Sequence, residues 1–361
     1  MSAWDVVIAG GGPAGLSTAI HAAARGLRTL VLERRKGPVD KACGEGLMPA
    51  GLRELDALGV RVEGVPFHGI RYVQEDGSAV EGRFRGGSGL GVRRTSLSAA
   101  LSARALEVGA QLREGSVRGH REGAGAVQLD TDTGPLETRL LVAADGVNSP
   151  LRHAALLDGP APRGRRYGLR RHFALAPWCD LVEVHWAAGL EAYVTPVSAN
   201  CVNVAFLWEH RGAADAGAEH ASFDSLLARF PPLAGRLRGA AHSSEARGAG
   251  PLEHRVRARA SGRLALVGDA AGYVDAITGQ GLSLAFASAR ALVQALPADL
   301  SDDLTAPLRR YDSSLRGRWL RYALPARALL ALARRPALRL RTLRAVSHAP
   351  ALFRLLLQAV A

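Results

Sequence analysis

The sequence has 361 residues, of which 48% are hydrophobic, and a formal net charge of +13 at pH 7. That length accommodates one large α/β domain and a smaller one around a substantial core. The three cysteines are too few and too scattered for a disulfide framework or a zinc cage, and no apolar stretch is suited to spanning a membrane. These features predict a soluble, cytoplasmic protein without a bound metal.

Arginine carries almost all of the positive charge, because only Lys36 and Lys41 among the 46 basic residues are lysine. A basic chain can bind nucleic acid or an anionic membrane. No nucleic-acid-binding module is recognisable, and such an arginine excess is typical of GC-rich coding sequences. We therefore do not expect nucleic acid as a partner.

The first predicted strand runs into a glycine-rich turn. Residues 6–9 are apolar, as in a buried parallel strand, and Gly10-Gly-Gly-Pro-Ala-Gly15 follows. Gly10 permits the tight turn, Gly12 lets the backbone approach a pyrophosphate, and Gly15 allows the next helix to pack on the sheet. The helix that begins around Pro13 and Ala14 points its amides and dipole at the phosphates. This segment predicts a dinucleotide site.

A second strand, residues 29–33, ends in an acid. Glu33 lies 18 residues after Gly15, close to the roughly 20 expected for a carboxylate that binds ribose hydroxyls. We include Glu33 and the adjacent Arg34 in the predicted site. An ion pair between the two on the surface is the alternative.

Two more segments place an acid after an apolar strand: Asp145-Gly146 and Gly268-Asp269. Gly279-Gln280-Gly281 then precedes an apolar helical run, whose N-terminus can stabilise negative charge at a flavin N1–C2=O edge. Either aspartate could instead be a helix cap or a turn former. In this order the segments describe one bound FAD.

These motifs resemble the flavoprotein superfamily of p-hydroxybenzoate-hydroxylase-type monooxygenases and geranylgeranyl reductases, from about residue 3 to about residue 296. The resemblance implies that Asp145-Gly146 links FAD with the reducing nicotinamide nucleotide. It also implies that Asp269 binds ribityl and ribose hydroxyls, and that Arg94, opening a helical run, contacts FAD. No second Gly-x-Gly-x-x-Gly follows a strand, so we expect NAD(P)H to dock transiently.

The segment from Lys41 to Leu47 is similar to the cysteine-glycine segment of geranylgeranyl reductases. The resemblance places Cys43 and Gly44 near the flavin ring and makes Cys43 a candidate catalytic residue. A small buried hydrophobic role for Cys43 is the alternative. The loop 268–281 is also closer to the reductases, since Asp275-Ala276 lies where they carry Asp-Pro.

The reductases' substrate signature, Tyr-x-Trp-x-Phe-Pro, is not kept. Aligned on Pro196, the chain has Glu191, Tyr193 and Thr195 at the three signature positions, which puts prenyl specificity in doubt. Tyr193, Thr195 and Pro196 remain the candidate substrate-binding residues. The lysine and the Trp-x-Trp-x-Ile-Pro segment of flavin halogenases are missing, so we do not expect halogenation.

Residues 168–257 alternate in strand fashion, at 182–186, 192–195 and 202–208, which predicts an antiparallel sheet with one covered face. Residues 66–91 add a hairpin. His185 is a candidate for assisting deprotonation, with a solvent-facing or core histidine as the alternative.

Residues 316–361 contain ten arginines and no acid, with Pro325, Pro336 and Pro350 predicted to divide the region into short helices. A helical cap packed on the FAD domain is the favoured interpretation. A surface for anionic lipid, giving peripheral membrane contact, is the alternative.

We therefore expect an α/β (α+β) fold. A Rossmann-type FAD-binding domain with a parallel βαβ sheet takes residues 1–65, 92–167 and 258–300. An interleaved antiparallel-sheet substrate domain takes 66–91 and 168–257, and a C-terminal helical region takes 301–361.

The expected activity is NAD(P)H-dependent, FAD-catalysed hydroxylation of a lipophilic aromatic or polyketide-type molecule. One alternative is a geranylgeranyl-reductase-like enzyme that reduces C=C bonds of an isoprenoid or quinone. A non-catalytic or protein-modifying flavoprotein is the alternative from another class.

Overall fold

The computed structural model describes residues 4–123, 125–161, 164–210 and 221–347. The strands of this part form three sheets. The first contains β1 (Trp4–Ala9), β2 (Thr29–Glu33), β8 (Gln111–Glu114), β9 (Val117–Glu122), β10 (Val127–Thr131), β11 (Leu136–Ala143), β17 (Ala260–Ser261) and β18 (Leu264–Leu266). The second contains β5 (Gly69–Val73), β6 (Ala79–Arg83), β12 (Arg165–Phe173), β13 (Val182–Ala187), β14 (Leu190–Ser198), β15 (Cys201–His210) and β16 (Arg247–Ala249). The third contains β3 (Gly46–Leu47), β4 (Val65–Phe67) and β7 (Gly89–Gly91).

The first sheet is built on five parallel strands in the order β18-β11-β1-β2-β8. Its central strands are apolar runs because both faces are covered. The covering helices include α1 (Pro13–Ala24), α3 (Arg94–Glu107) and α7 (Gly281–Ala295). Since parallel strands share one carboxyl edge, the segments that follow β1, β2, β11 and β18 meet there.

The second sheet has the order β16-β12-β15-β14-β13-β5-β6. Its pairings are antiparallel except that of β13 with β5, which is parallel. The three strands predicted within 168–257 lie inside β13, β14 and β15. Strands β5 and β6 form the hairpin expected within 66–91. The domain boundaries themselves stay predictions.

The expectation of one covered face in this sheet was wrong. The outer face packs on α5 (Phe223–Leu227) and α6 (Pro231–Leu237) through residues such as Phe206. We call the opposite face of this sheet the inner face. It contains the row of neighbouring residues Tyr72, Val184, Tyr193, Ala205 and Arg170 on five strands. It is covered by the remainder of the chain, so β14 and β15 are buried on both sides.

Two shorter helices, α2 (Pro49–Ala57) and α4 (Pro150–Ala154), complete the part before β12. The third sheet joins the second at β7. A β-carbon built on Gly91 would lie 1.7 Å from the carbonyl oxygen of Pro196, so only glycine fits this crossing.

The C-terminal region forms α8 (Thr305–Ala333) and α9 (Pro336–Ser347). The prediction that Pro325 ends a helix was wrong, because Pro325 lies inside α8. The proline costs the helix a hydrogen bond, and packing of Tyr322, Ala326 and neighbouring residues on Ile277 compensates. Pro336 begins α9 as expected, and Pro350 lies outside the described residues.

Helix α8 packs Leu308, Tyr311 and Leu315 on the core of the first sheet, as expected for a cap on the FAD domain. Helix α9 differs from that expectation, because its Leu343 and Val346 join an apolar cluster with Tyr72 and Trp186 of the second sheet. None of the described helices is long and apolar enough to cross a membrane.

Candidate functional site

The three glycine motifs meet along one edge of the first sheet. A β-carbon on Gly10 would lie 2.5 Å from the Ala144 carbonyl oxygen, and one on Gly15 would lie 1.9 Å from the Gly10 oxygen. A β-carbon on Gly268 would lie 2.5 Å from that of Ala14. The three turns therefore nest too tightly for any side chain at these glycines.

Gly12 differs from these glycines because it borders open space. A β-carbon built on it meets no protein atom within 4 Å, and it is the N-cap of α1 with Pro13 following. The free amides of this helix end face that space. Such a gap at a helix N-terminus fits a pyrophosphate.

Glu33 is held at the end of β2 by backbone groups. The Gly11 N–H donates to its Oε2 atom at 2.7 Å, and the Arg35 N–H donates to Oε1 at 3.1 Å. Arg34 lies exposed beside it. The Glu33 carboxylate is thus fixed next to the glycine turn, where a ribose would follow the pyrophosphate.

Lys41 lies between the two aspartate motifs. Its Nζ atom is 3.4 Å from Asp269 Oδ2 and would lie 3.3 Å from a β-carbon on Gly146. Asp145 accepts from the Leu151 N–H through Oδ2, while its buried Oδ1 has no hydrogen-bond partner among the described residues. Burial raises the pKa of Asp145.

His254 is a member of this site that the sequence did not indicate. Burial lowers its pKa to about 4; nearby Arg152 adds to the lowering and Asp269 opposes it. His254 is therefore neutral at pH 7 and lies within the field of Asp269. His254 belongs to no motif, and an isolated antiparallel bridge to Tyr273 positions it at this site.

Arg94 opens α3 with a nearly buried side chain, 9% exposed, whose Nε atom has no partner among the described residues. Its backbone N–H donates to Glu45 Oε1 at 2.8 Å. Glu45 is 1% exposed, and its second oxygen lies 2.5 Å from Nε2 of His172. Glu45 has a φ of 58°, so this buried pair holds a strained backbone between Gly44 and Gly46.

Cys43 lies on the same segment and faces the second sheet. Its carbonyl oxygen accepts from Asn203 Nδ2 at 3.0 Å, and its Sγ atom accepts from the Glu45 N–H at 3.3 Å. The segment 41–47 thus runs from the aspartate motifs to the inner face. Sequence similarity located this segment but not Glu45, Asn203 or His172.

The N-terminus of α7 opens toward the same region. Gly279 has a φ of +67°, and Gln280 is the N-cap. β-Carbons built on Gly279 and Gly281 would each lie 3.6 Å from a neighbouring side chain, Met48 and Tyr273 respectively. The helix end is therefore framed by both side chains.

A buried ion cluster joins the inner face to this loop. The Arg166 guanidinium contacts Glu191 through Nη2 at 2.6 Å and Asp275 through Nε at 2.7 Å, and all three side chains are at most 5% exposed. Burial raises the pKa of Glu191 and of Asp275, because one guanidinium compensates two carboxylates only in part.

Two of the three candidate substrate residues share the inner face. Tyr193 and Thr195 point the same way as Glu191, since the three alternate along β14. Burial raises the pKa of Tyr193 well above its usual value. Pro196 directly follows Thr195 on β14, so it lies on the outer face, where it pairs with Val202.

His185 lies on the outer face, opposite Tyr193 in orientation. Its Nε2 atom is 3.1 Å from Glu183 Oε2, and its ring packs edge-on against Phe230. This placement favours the core-histidine alternative over an acid–base role.

The residues present fit FAD. Gly12 and α1 leave room for a pyrophosphate, Glu33 and Asp269 offer carboxylates to hydroxyl groups, and Arg94 keeps a buried donor without a protein partner. When bound, FAD supplies hydride transfer or oxygen activation that side chains cannot provide.

The comparison with protein families agrees with this geometry. The model for an FAD binding domain matches residues 3–316. The chain belongs to this family. FAD is accordingly its cofactor, and the resemblance proposed from the sequence is confirmed.

The relatives include both reductases and monooxygenases. The chain is 31% identical over 315 residues to digeranylgeranylglycerophospholipid reductase 2 of Methanothermobacter thermautotrophicus, which covers 78% of the chain and 74% of the relative. It is 33% identical over 176 residues to menaquinone reductase of Mycobacterium tuberculosis, covering 46% of the chain and 41% of that protein. This second match therefore spans less than half of the relative's length.

A third relative is 12-dehydrotetracycline 5-monooxygenase/anhydrotetracycline 6-monooxygenase of Streptomyces rimosus. The two are 36% identical over 171 residues, and the match covers 44% of the chain and 33% of the relative.

Among solved structures, the geranylgeranyl bacteriochlorophyll reductase-like protein of Thermoplasma acidophilum superimposes with a TM-score of 0.77 at 20% identity, covering 93% of the chain and 88% of that structure. This last likeness shows the fold alone.

Replacing Gly12 with alanine tests the pyrophosphate gap. The new β-carbon meets no protein atom, and a φ of −74° suits alanine, so we expect the apoprotein to melt at the wild-type temperature. The methyl group would occupy ligand space and raise the FAD dissociation constant at least about tenfold. Gly119→Ala, which also meets nothing within 4 Å but lies in β9, is the matched control. Equal FAD affinity in the two variants would contradict the placement.

The buried His254 predicts an acid-sensitive stability. Its folded pKa of about 4 lies below the ordinary 6.5, so its contribution is intact above pH 6.5 and lost as pH falls toward 4. Between pH 7 and pH 4.5, the unfolding free energy of the wild type should fall by about 2 to 3 kcal/mol more than that of His254→Gln, measured by urea denaturation. His68→Gln, at an exposed histidine, should follow wild type. Parallel losses in all three proteins would show that His254 is not buried in its neutral form.

Proposed function

We propose that the protein is an NAD(P)H-dependent FAD reductase that adds hydrogen across a carbon–carbon double bond of a lipophilic isoprenoid or quinone-type molecule. The cluster of Arg166, Glu191 and Asp275 on the inner face carries this proposal. Such a reduction needs a hydride, which is the chemistry that FAD would supply when bound, and a proton, which the chain must supply.

The ion cluster is suited to hold that proton. Two buried carboxylates share Arg166, and burial raises the pKa of both. Arg339 of α9 favours the charged form of Glu191, and Arg334, which directly follows α8, favours that of Asp275. Burial outweighs these cations, so the pKa of each carboxylate is raised, and we assign the transferable proton to this pair.

Tyr193 lies two residues from Glu191 on the same face of β14, and burial raises the pKa of its phenol. Its hydroxyl has no hydrogen-bond partner among the described residues, so we assign the proton donor to the carboxylate pair and not to Tyr193. The reductases' signature is lost at Glu191, and an acid in its place supports proton delivery at this position.

The other half of the inner face supports a lipophilic substrate. Ile70, Tyr72, Val184 and Trp186 form an apolar cluster with Phe67 beside Tyr193. Helix α9 covers this cluster with Leu343 and Val346, so a substrate at its Tyr193 edge would meet an apolar, water-poor surrounding.

Hydroxylation of a lipophilic aromatic or polyketide-type molecule is the second candidate. The match to the tetracycline monooxygenase and the Asp145-Gly146 motif favour it. The sequence alone ranked this activity first. The match to the lipid reductase, which extends over 78% of the chain, and the buried acid cluster reverse the order.

Product analysis separates the two candidates. The FAD-loaded protein, NADPH and an unsaturated isoprenoid naphthoquinone incubated without oxygen should yield a product two hydrogens heavier in its side chain, seen by mass spectrometry. Glu191→Gln should lower this rate at least about tenfold while leaving flavin reduction by NADPH unchanged. A product that gains an oxygen atom, formed only in air, would contradict reduction and establish hydroxylation.

We also propose that the exposed side of the C-terminal helices contacts an anionic membrane that holds the substrate. Leu320 and Leu324 are 46% and 63% exposed, one turn apart on α8. Exposed arginines, including Arg318 and Arg321, flank them, and residues 313–347 contain no acid. Apolar side chains within a basic surface suit an interface with anionic headgroups.

Co-sedimentation with vesicles tests this surface. The FAD-loaded protein should bind vesicles of phosphatidylglycerol and phosphatidylcholine, bind pure phosphatidylcholine weakly, and dissociate at high salt. Leu320→Ser with Leu324→Ser should lower the bound fraction several-fold. The control pair Leu106→Ser with Leu156→Ser changes two exposed leucines that lie outside α8 and α9, and it should leave the bound fraction unchanged. Equal binding by both pairs would contradict the proposed surface.

A further inference from the structure

Two buried oxygen atoms on the inner face have no hydrogen-bond partner among the described residues: the Tyr193 hydroxyl and Asn203 Oδ1. Asn203 is 0% exposed. Buried polar atoms are paired in nearly all folded proteins, so two unpaired ones on one face require an explanation.

The two atoms are close enough to act together. Tyr193 pairs with Ala205 across β14 and β15, and Asn203 lies two residues from Ala205 on the same face. Tyr193 and Asn203 are therefore diagonal neighbours, on the order of 7–8 Å apart. Ala205, the residue opposite Tyr193, is small.

The orientation of the Asn203 amide is fixed by its other end. Its Nδ2 atom donates to the Cys43 carbonyl oxygen at 3.0 Å, which leaves Oδ1 as the unpaired atom. This contact also places Asn203 beside the segment that lines the cofactor site. The Tyr193 phenol stays protonated, since burial raises its pKa, and can donate.

We infer that Tyr193 and Asn203 form a subsite for the oxygen substituents of a ring, so that the substrate head group carries both a carbonyl oxygen and a hydroxyl group. The Tyr193 hydroxyl donates to the carbonyl oxygen, and Asn203 Oδ1 accepts from the hydroxyl.

This inference deepens the proposed function and relies on it only for the reaction. A plain polyene would leave both oxygens unpaired, whereas a hydroxylated ketone satisfies them. The subsite therefore selects an oxygenated ring over an unsubstituted hydrocarbon.

Four bicyclic probes of one size separate the contributions: 6-hydroxy-1-tetralone, 1-tetralone, 6-hydroxytetralin and tetralin. Binding to the FAD-loaded protein is measured by the change in flavin absorbance. In the wild-type protein, 6-hydroxy-1-tetralone should bind about tenfold more tightly than 6-hydroxytetralin, and 1-tetralone about tenfold more tightly than tetralin. In Tyr193→Phe this advantage should vanish while tetralin binds equally well. Tyr167→Phe, on the outer face of the same sheet, is the control and should keep it.

The affinity difference between probes with and without the hydroxyl group should vanish in Asn203→Leu and persist in Tyr193→Phe. Thermal unfolding gives an independent check, because removing an unpaired hydroxyl should leave the melting temperature of Tyr193→Phe unchanged or raised. A lowered melting temperature, or equal weakening of all four probes by Tyr193→Phe, would overturn the subsite.

The outcomes also keep the two proposals apart. Ketone-dependent binding without any hydrogenated product would retain the subsite and reject the reduction. Hydrogenation of a plain polyene together with equal affinity for all four probes would retain the reduction and overturn the subsite.

Discussion

The shared carboxyl edge of four parallel strands is the constraint on which the rest of the site depends. Strands β18, β11, β1 and β2 are neighbours in the first sheet, so three turns distant in sequence and Glu33 meet at one edge. Backbone oxygens approach Gly10 and Gly15, and the Ala14 β-carbon approaches Gly268, so closely that a side chain at any of the three would push the turns apart. Gly12 alone among these motif glycines borders open space, and that space is where the phosphates of FAD fit.

The second sheet is connected to this edge by buried polar pairs within an apolar interface. Glu45–His172 and Arg166–Asp275 each connect an inner-face residue to a loop of the cofactor edge. Removing Arg166 would leave the buried carboxylates Glu191 and Asp275 without their cation, which costs about 3–5 kcal/mol. These pairs fix the distance between the sheet and the flavin loop. The chemistry between them is therefore set by a few polar groups within an otherwise apolar interface.

The sequence predicted the cofactor edge well because its requirements are local. A tight turn needs glycine at Gly10, and an acid at the end of a strand is visible without tertiary information. The inner face could not be predicted in the same way. Glu45, Asn203 and His254 become meaningful only through partners far away in sequence, and Pro325 was misplaced because tertiary packing of α8 outweighs its local cost. Alternation along β14 did indicate that Tyr193 and Thr195 share a face, whereas the placement of His185 on the other face required the strand register.

The reaction of the reduced protein with oxygen distinguishes C=C reduction from oxygen insertion. The FAD-loaded protein is reduced without air, mixed rapidly with oxygenated buffer, and followed through the flavin absorbance. We expect a direct return from the reduced to the oxidised spectrum, because no group of the inner face is assigned to stabilise an oxygen adduct. A third, long-lived absorbance band between the two spectra would contradict it and establish the competence for hydroxylation.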